Sequence, residues 1–136
     1  MKKIYLACPY TSPSLHTRRD RVELASLVAA RLMEAGHVVF SPITHGHAVA
    51  SYLSPDKVHD HWFWMQQCLP MLKACDELMI LPLAGWRESR GVTEERAFAL
   101  AHNIPMTVWQ NLNEAFETLY PDELQALNLL PCQGAL

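Results

Sequence analysis

The sequence has no apolar run of about 18 residues, so it encodes no helix of membrane-spanning length. It has no excess of positive charge. Eleven Lys and Arg stand against 14 Asp and Glu, a net charge of −3 at pH 7. That balance gives no general electrostatic reason to bind a nucleic-acid polymer. Cysteine is sparse and unpaired in pattern: Cys8, Cys68, Cys75 and Cys132 form no CxxC pair and no zinc-ligand spacing. They read as reduced thiols of a cytoplasmic protein. Cys68 and Cys75 would share a face if one helix carried both. Three signatures are also missing, the Gly-x-Gly-x-x-Gly fingerprint, the Walker A loop and the Ser-centred nucleophile elbow. Dinucleotide binding, P-loop chemistry and α/β-hydrolase chemistry therefore have no marker here. The basic-then-apolar start, Met1 to Ala7, is too short in its apolar part for a signal peptide, and Pro9 follows at once.

Half of the residues are hydrophobic, enough for one core without disulfides or metal. The length suits a single domain over residues 1–136. Lys3 to Ala7 reads as a strand stopped by Pro9. A helix is expected from about Thr17 to Ala35, where Val22, Ala25, Val28, Ala29 and Leu32 recur at helical spacing. Gly36 then ends it. His37 to Phe40 reads as a second strand. Residues 43–56 carry a weaker signal, with a short helix around Ala48 to Tyr52. A helix is expected over Val58 to Ala74, kinked at Pro70. Glu77 to Pro82 reads as the third strand and Glu94 to Asn103 as the next helix. Pro105 to Trp109 follows as the fourth strand, and Asn113 to Tyr120 as a last helix. This alternation predicts an α/β fold, a doubly wound parallel sheet of four to five strands with helices on both faces, flavodoxin- or Rossmann-like.

In such sheets ligands bind beyond the C-terminal ends of the strands. The stretch Gly85-Trp86-Arg87-Glu88-Ser89-Arg90-Gly91-Val92-Thr93-Glu94-Glu95 lies between the third strand and the following helix. It brings a hydroxyl, helix-start amides and a carboxylate together. On spacing alone Glu95 is a first-turn acid that complements the helix dipole. Ser89 suits a helix cap. Trp86 is either a loop aromatic over the core edge or a stacking wall for a base. His45, His47, His59 and His61 form two His-x-His pairs, read as polar loop groups near the pocket mouth. They could alternatively line the metal site of a hydrolase. Asp76 reads as a structural residue at the entrance of the third strand. Trp62 to Met65 is a candidate subunit contact.

These residues resemble the nucleoside 2-deoxyribosyltransferase superfamily, which includes the 2′-deoxynucleoside 5′-phosphate N-hydrolases. More narrowly, they resemble an uncharacterised bacterial branch that shares the Tyr-Leu-Ala-x-Pro start and the Gly-Trp-x-x-Ser-x-Gly-Val-x-x-Glu loop. The matching segments are Tyr5-Leu6-Ala7-Cys8-Pro9, Cys75-Asp76 and Ser89 to Glu95, and the likeness spans roughly Lys3 to Val108. It implies an N-glycosidase or deoxyribosyltransferase-like enzyme. Glu95 would attack the anomeric carbon and form a glycosyl-enzyme. Tyr5 would steer that carboxylate or crowd the sugar 2′ position. Ser89 and the amides near Gly91 would hold the 5′ end, with Pro9, Trp86 and Asp60 completing the substrate site. A serine at position 89, where transferases acting on free nucleosides carry an aspartate, implies a phosphorylated or otherwise anionic ligand. Arg87 and Arg90 agree with that sign.

Two departures accompany the resemblance. Cys68 stands where many members carry an aspartate directed at the base or the reacting centre. Asp60, His45, His59 and His61 are the groups that could take over. Pro9-Tyr10-Thr11-Ser12 replaces a glycine-rich phosphate grip. The departures motivate an alternative, a non-catalytic module that binds a nucleotide derivative. The resemblance calls for no cofactor and no metal, for a small nucleotide or nucleoside partner, and for a homo-oligomer.

Overall fold

The computed structural model describes residues 1–109. Four strands form one parallel sheet: β1 (Lys3–Ala7), β2 (Val38–Phe40), β3 (Glu77–Ile80) and β4 (Met106–Val108). Their spatial order is β2-β1-β3-β4. Tyr5 stands at the sheet's centre, paired with Phe40 on one side and Leu78 on the other. The chain winds from β1 to β2 in one direction and resumes with β3 on β1's other side. The switch point of the sheet therefore lies between β1 and β3, the place where open α/β sheets leave a crevice. A bond from the Leu81 N–H to the Ala7 carbonyl (2.8 Å) carries this pairing just past both strands.

Helix α1 (Leu15–Glu34) starts two residues before the expected boundary, because the Ser14 hydroxyl accepts from the Thr17 N–H and caps it. It ends at Ala35. Gly36 then takes a φ of +98°, a left-handed turn that glycine adopts without a Cβ penalty. The segment 43–56 is more helical than its sequence suggests. Pro42 opens α2 (Pro42–Ala50) and Pro55 opens α3 (Pro55–Val58), each in a first-turn position where a missing N–H costs nothing. Helix α4 (His61–Lys73) is shorter than the expected span because Asp60 caps it. Cys75 consequently lies beyond its end and does not share a helix face with Cys68. Helix α5 (Arg90–Ala101) starts four residues earlier than expected, at a Ser89 cap. The last expected helix, Asn113 to Tyr120, lies outside the described residues.

Strand alternation divides the core between two faces. Ile4, Leu6 and Cys8 face α1, where Leu24, Val28 and Leu32 cover them. Tyr5, Ala7, Leu78 and Ile80 face α4 and α5, against Cys68, Leu72, Val92 and Ala99. Asp76 is structural, as expected: its carboxylate accepts from the Lys3 N–H (2.8 Å) and its own N–H donates to the Lys3 carbonyl. None of the described helices is long and apolar enough to cross a membrane.

Candidate functional site

The second face of the sheet holds three ionisable groups in one buried cluster. Tyr5 enters from β1, Cys68 from α4 and Glu95 from α5. Tyr5 is fully buried and Glu95 is only 4% exposed. The Tyr5 hydroxyl interacts electrostatically with both the Glu95 carboxyl and the Cys68 thiol. It makes no hydrogen bond of standard geometry within the described residues. A buried hydroxyl without a partner is uncommon, and functional sites are one place it occurs.

Burial sets the protonation of the cluster. It pushes the Glu95 carboxyl up to about 8, against a small opposing pull from the Tyr5 hydroxyl. It pushes the Cys68 thiol up to about 11, helped by the Glu95 charge. The Tyr5 phenol rises well above its usual range, first through burial and then through Glu95 and Cys68. Each shift has the direction desolvation requires of an acid, and no cation among the described residues relieves it. Glu95 sits in the second turn of α5, because the helix starts at Arg90. It is therefore not the first-turn acid that the sequence suggests, and the helix dipole is not what holds it there.

Ser89 is the cap of α5, its hydroxyl accepting from the Val92 N–H at 3.3 Å. Arg90 and Gly91 follow as the first two helical residues, where backbone N–H groups have no acceptor within the helix. Gly91 faces Met65, whose methyl lies 4.0 Å from where a Cβ would stand. Ser89 and Glu95 are six residues apart on one helix, about 9 Å along its axis. Pro9 is buried in the turn after β1, its carbonyl accepting from the Cys8 thiol.

Two expected substrate residues are otherwise engaged. Asp60 is exposed, and its carboxylate accepts from the Trp62 and Phe63 N–H groups at 3.0 and 3.2 Å. It is committed to capping α4. Trp86 is fully buried, with the Arg87 and Arg96 guanidinium groups over its ring at 4.5 and 5.3 Å. It is a core side chain and leaves no open face for a base to stack on. The aromatic cluster is also split: Met65 is in the core and the Trp64 indole donates to the Val58 carbonyl, so only Trp62 is strongly exposed, at 54%.

The histidines disperse. His47 meets the Tyr10 hydroxyl at 2.6 Å, His45 leans on Phe40, His59 closes α3 and His61 lies edge-on to Trp62. Among the described residues, no three His, Cys, Asp or Glu side chains gather closely enough to hold a metal. A hydrolase built on a histidine-held metal has no support in this arrangement.

Two features escape the sequence. Arg21 of α1 donates to the Thr11 carbonyl (3.3 Å) and the Ala84 carbonyl (3.2 Å). It ties the loop after β1 to the loop after β3, the two walls of the switch-point crevice. Arg18 donates to the Ser12 carbonyl beside it. Their i, i+3 spacing on α1 is the only sequence signal for this clamp. The second feature is a cavity of about 430 Å³ between α2 and α4, lined by Phe40, His45, Phe63, Trp64, Gln67 and Cys68 among others. Cys68 belongs both to this cavity and to the Tyr5–Glu95 cluster, so the two adjoin.

No curated protein matches the sequence. Among solved structures, a 2-deoxyribosyltransferase from Bacillus psychrosaccharolyticus aligns over 96% of this chain and 99% of its own, with a TM-score of 0.55 and 18% identity. At that identity the likeness establishes a common fold, the α/β sheet with flanking helices described above. Residues 2–111 contain every group of the cluster, the crevice loops and the cavity; they match the family described as a domain of unknown function, DUF1937, and the chain belongs to that family.

Proposed function

We propose that this protein cleaves or transfers the N-glycosidic bond of a nucleotide- or nucleoside-like small molecule, with Glu95 as the nucleophile. One observation carries the reading. Glu95 is a deeply buried carboxyl without an ion-pair partner among the described residues, set against the Tyr5 hydroxyl and beside a ligand-sized cavity. A fold gains nothing from such a group, since an unpaired buried acid destabilises it. The fold shared with a 2-deoxyribosyltransferase, described as a biocatalyst for the synthesis of nucleosides, supports the reading from a second side.

The chemistry follows from the groups present. The ionised Glu95 carboxylate attacks C1′ and the C1′–N bond breaks, which leaves a glycosyl-enzyme. Water, or a second base, then attacks C1′ and frees Glu95. Tyr5, held neutral by burial, faces the carboxylate and favours its ionised form. The Ser89 hydroxyl and the Arg90 and Gly91 amides at the start of α5 receive the 5′ end, where the helix dipole and the absence of an acidic side chain at position 89 favour an anion. The exposed Trp62 supports self-association, which light scattering on the purified protein checks; a monomer at all accessible concentrations overturns that part.

The test is mass spectrometry for a glycosyl adduct on Glu95 after incubation with a panel of nucleotides and nucleosides. Base release is followed by chromatography in parallel. The expected result is an adduct at Glu95, with base release lost in Glu95→Ala. Identical behaviour of wild type and Glu95→Ala on every substrate overturns the mechanism. Thermal stabilisation by nucleotides without any turnover would instead identify a binding module.

A further inference from the structure

We propose that the substrate of this site carries a cationic aromatic base, joined to the sugar through a pyridinium-type nitrogen, and that Cys68 and the aromatic cavity beside it select for that leaving group. The proposal rests on the reading that Glu95 attacks C1′.

The first observation concerns acids. An ordinary nucleobase leaves as an anion unless a proton reaches it during bond cleavage, so enzymes that expel neutral bases place an acid beside the base. Here the side chain that joins the Glu95 cluster to the cavity is Cys68. Its thiol is buried, and both burial and the neighbouring carboxyl hold it protonated, which makes it a poor proton donor near neutral pH. Among the described residues, no Asp, Glu, Lys or Arg lines the cavity. His45 lines it from α2, whereas the Glu95 cluster meets the cavity through Cys68 on α4. A pyridinium base needs no proton. When the Glu95 Oε–C1′ bond forms and the C1′–N bond breaks, the bonding pair moves onto the ring nitrogen and cancels its charge. The base departs as a neutral pyridine. Water then attacks C1′, the ester bond to Glu95 breaks, and the water's proton passes to solvent.

The second observation concerns charge. Glu95 is buried with no cation paired to it among the described residues, so it is an uncompensated acid there. A cation seated beside it supplies the missing countercharge and draws the carboxyl into its nucleophilic, ionised form. The walls complement such a ligand. Phe40 and Trp64 line the cavity, and aromatic faces attract flat cations; the Phe63 ring, also in the wall, already has the Lys57 ammonium over it at 5.8 Å. At about 430 Å³ the cavity falls in the range of small-molecule sites, roughly 300–1,000 Å³. Gln67 supplies an amide that can both donate to and accept from a ring substituent.

The experiment compares the purified wild-type protein on two probe classes. One is nicotinamide mononucleotide and the corresponding dinucleotide. The other is the adenine, cytosine and uracil 5′-monophosphates, in ribo and 2′-deoxy forms. The expected result is base release from a pyridinium nucleotide at least 100-fold faster, in kcat/KM, than from any neutral-base nucleotide. Comparable or faster release of a neutral base overturns this proposal and leaves the Glu95 mechanism standing. Release from neither class overturns both. Cys68→Asp provides a second arm, because it places a proton donor at the cavity wall. In that variant neutral-base release is expected to rise at least tenfold while pyridinium release does not. If release from both classes rises together, the leaving group is not what Cys68 controls. If Cys68→Asp fails to fold, the wild-type ratio decides alone.

Discussion

Glu95→Gln should flatten the dependence of stability on pH. In the unfolded chain the carboxyl titrates near its ordinary value of 4.5, whereas in the folded protein it titrates at about 8. The folded state therefore prefers the protonated form. Relative to a glutamine at the same position, the wild type is at its best below pH 4.5, where both states carry the proton. It loses stability as pH rises from there, because unfolding releases a proton that folding must take back. Each pH unit in this window costs about 1.4 kcal/mol, so the loss is about 3 kcal/mol at pH 7 and saturates near 5 kcal/mol above pH 8. Glu95 is 4% exposed, so solvent screening does little to reduce the figure.

Urea unfolding of both proteins at half-unit steps from pH 5 to 9 reads this directly. Glutamine is nearly isosteric and also polar, so it brings its own burial cost. That cost is independent of pH and appears as a constant offset. The readout is the difference in slope, with Glu95→Gln gaining on wild type by about 1.4 kcal/mol per pH unit up to pH 8. Parallel curves for the two proteins across the range would refute the reasoning, since they would mean the folded carboxyl titrates where the unfolded one does.

Four further variants test other parts of the structure. Tyr5→Phe removes a hydroxyl that has no full hydrogen bond, so stability should change by less than about 1 kcal/mol. Tyr5 also pulls the Glu95 carboxyl down, so the acid limb of the kcat/KM profile should shift to higher pH in Tyr5→Phe, read from rates between pH 5 and 10. Ser89→Ala should cost about 1 kcal/mol through the lost cap of α5 and raise KM for a 5′-phosphorylated substrate more than for its unphosphorylated form. Asp60→Ala should lose a similar amount, about 1 kcal/mol in denaturant titrations, with KM unchanged, because its carboxylate caps α4. Trp86→Ala should cost about 3–5 kcal/mol by thermal or chemical unfolding, as a fully buried indole does.

The strand pattern was legible because apolar runs such as Leu78 to Leu81, bounded by turn residues, admit little else. The alternation of elements implied a parallel sheet with helices on both faces; its strand order, β2-β1-β3-β4, came from the structure. Helix starts were less legible. Ser14, Asp60 and Ser89 each moved a boundary, because a cap depends on one side-chain bond and not on periodicity. Trp86 stayed open in the sequence because burial of an indole beneath guanidinium groups requires Arg96, ten residues on, to return over it through a turn of α5. Arg21 was invisible as a clamp for a related reason. Its acceptors are backbone carbonyls at Thr11 and Ala84, and carbonyls carry no sequence signature.

Cys68 shows most clearly how the cluster constrains its own chemistry. The central position of Tyr5 on β1 fixes the phenol, and α5 fixes Glu95 about 9 Å along the helix from the Ser89 cap. Cys68 closes the third side from α4, where it packs with Leu72 in the same core. A carboxylate at that position would put a second buried acid beside Glu95, and two like charges in one dry site raise each other's pKa. The thiol avoids that repulsion but, held protonated by burial, is a poor proton donor at neutral pH. An uncharged wall next to an unpaired acid has no net favourable interaction with an anionic ring and a favourable one with a cationic ring. The proposed preference for a cationic ring rests on this uncharged Cys68 wall beside Glu95, and such a preference is strongest where burial is deepest.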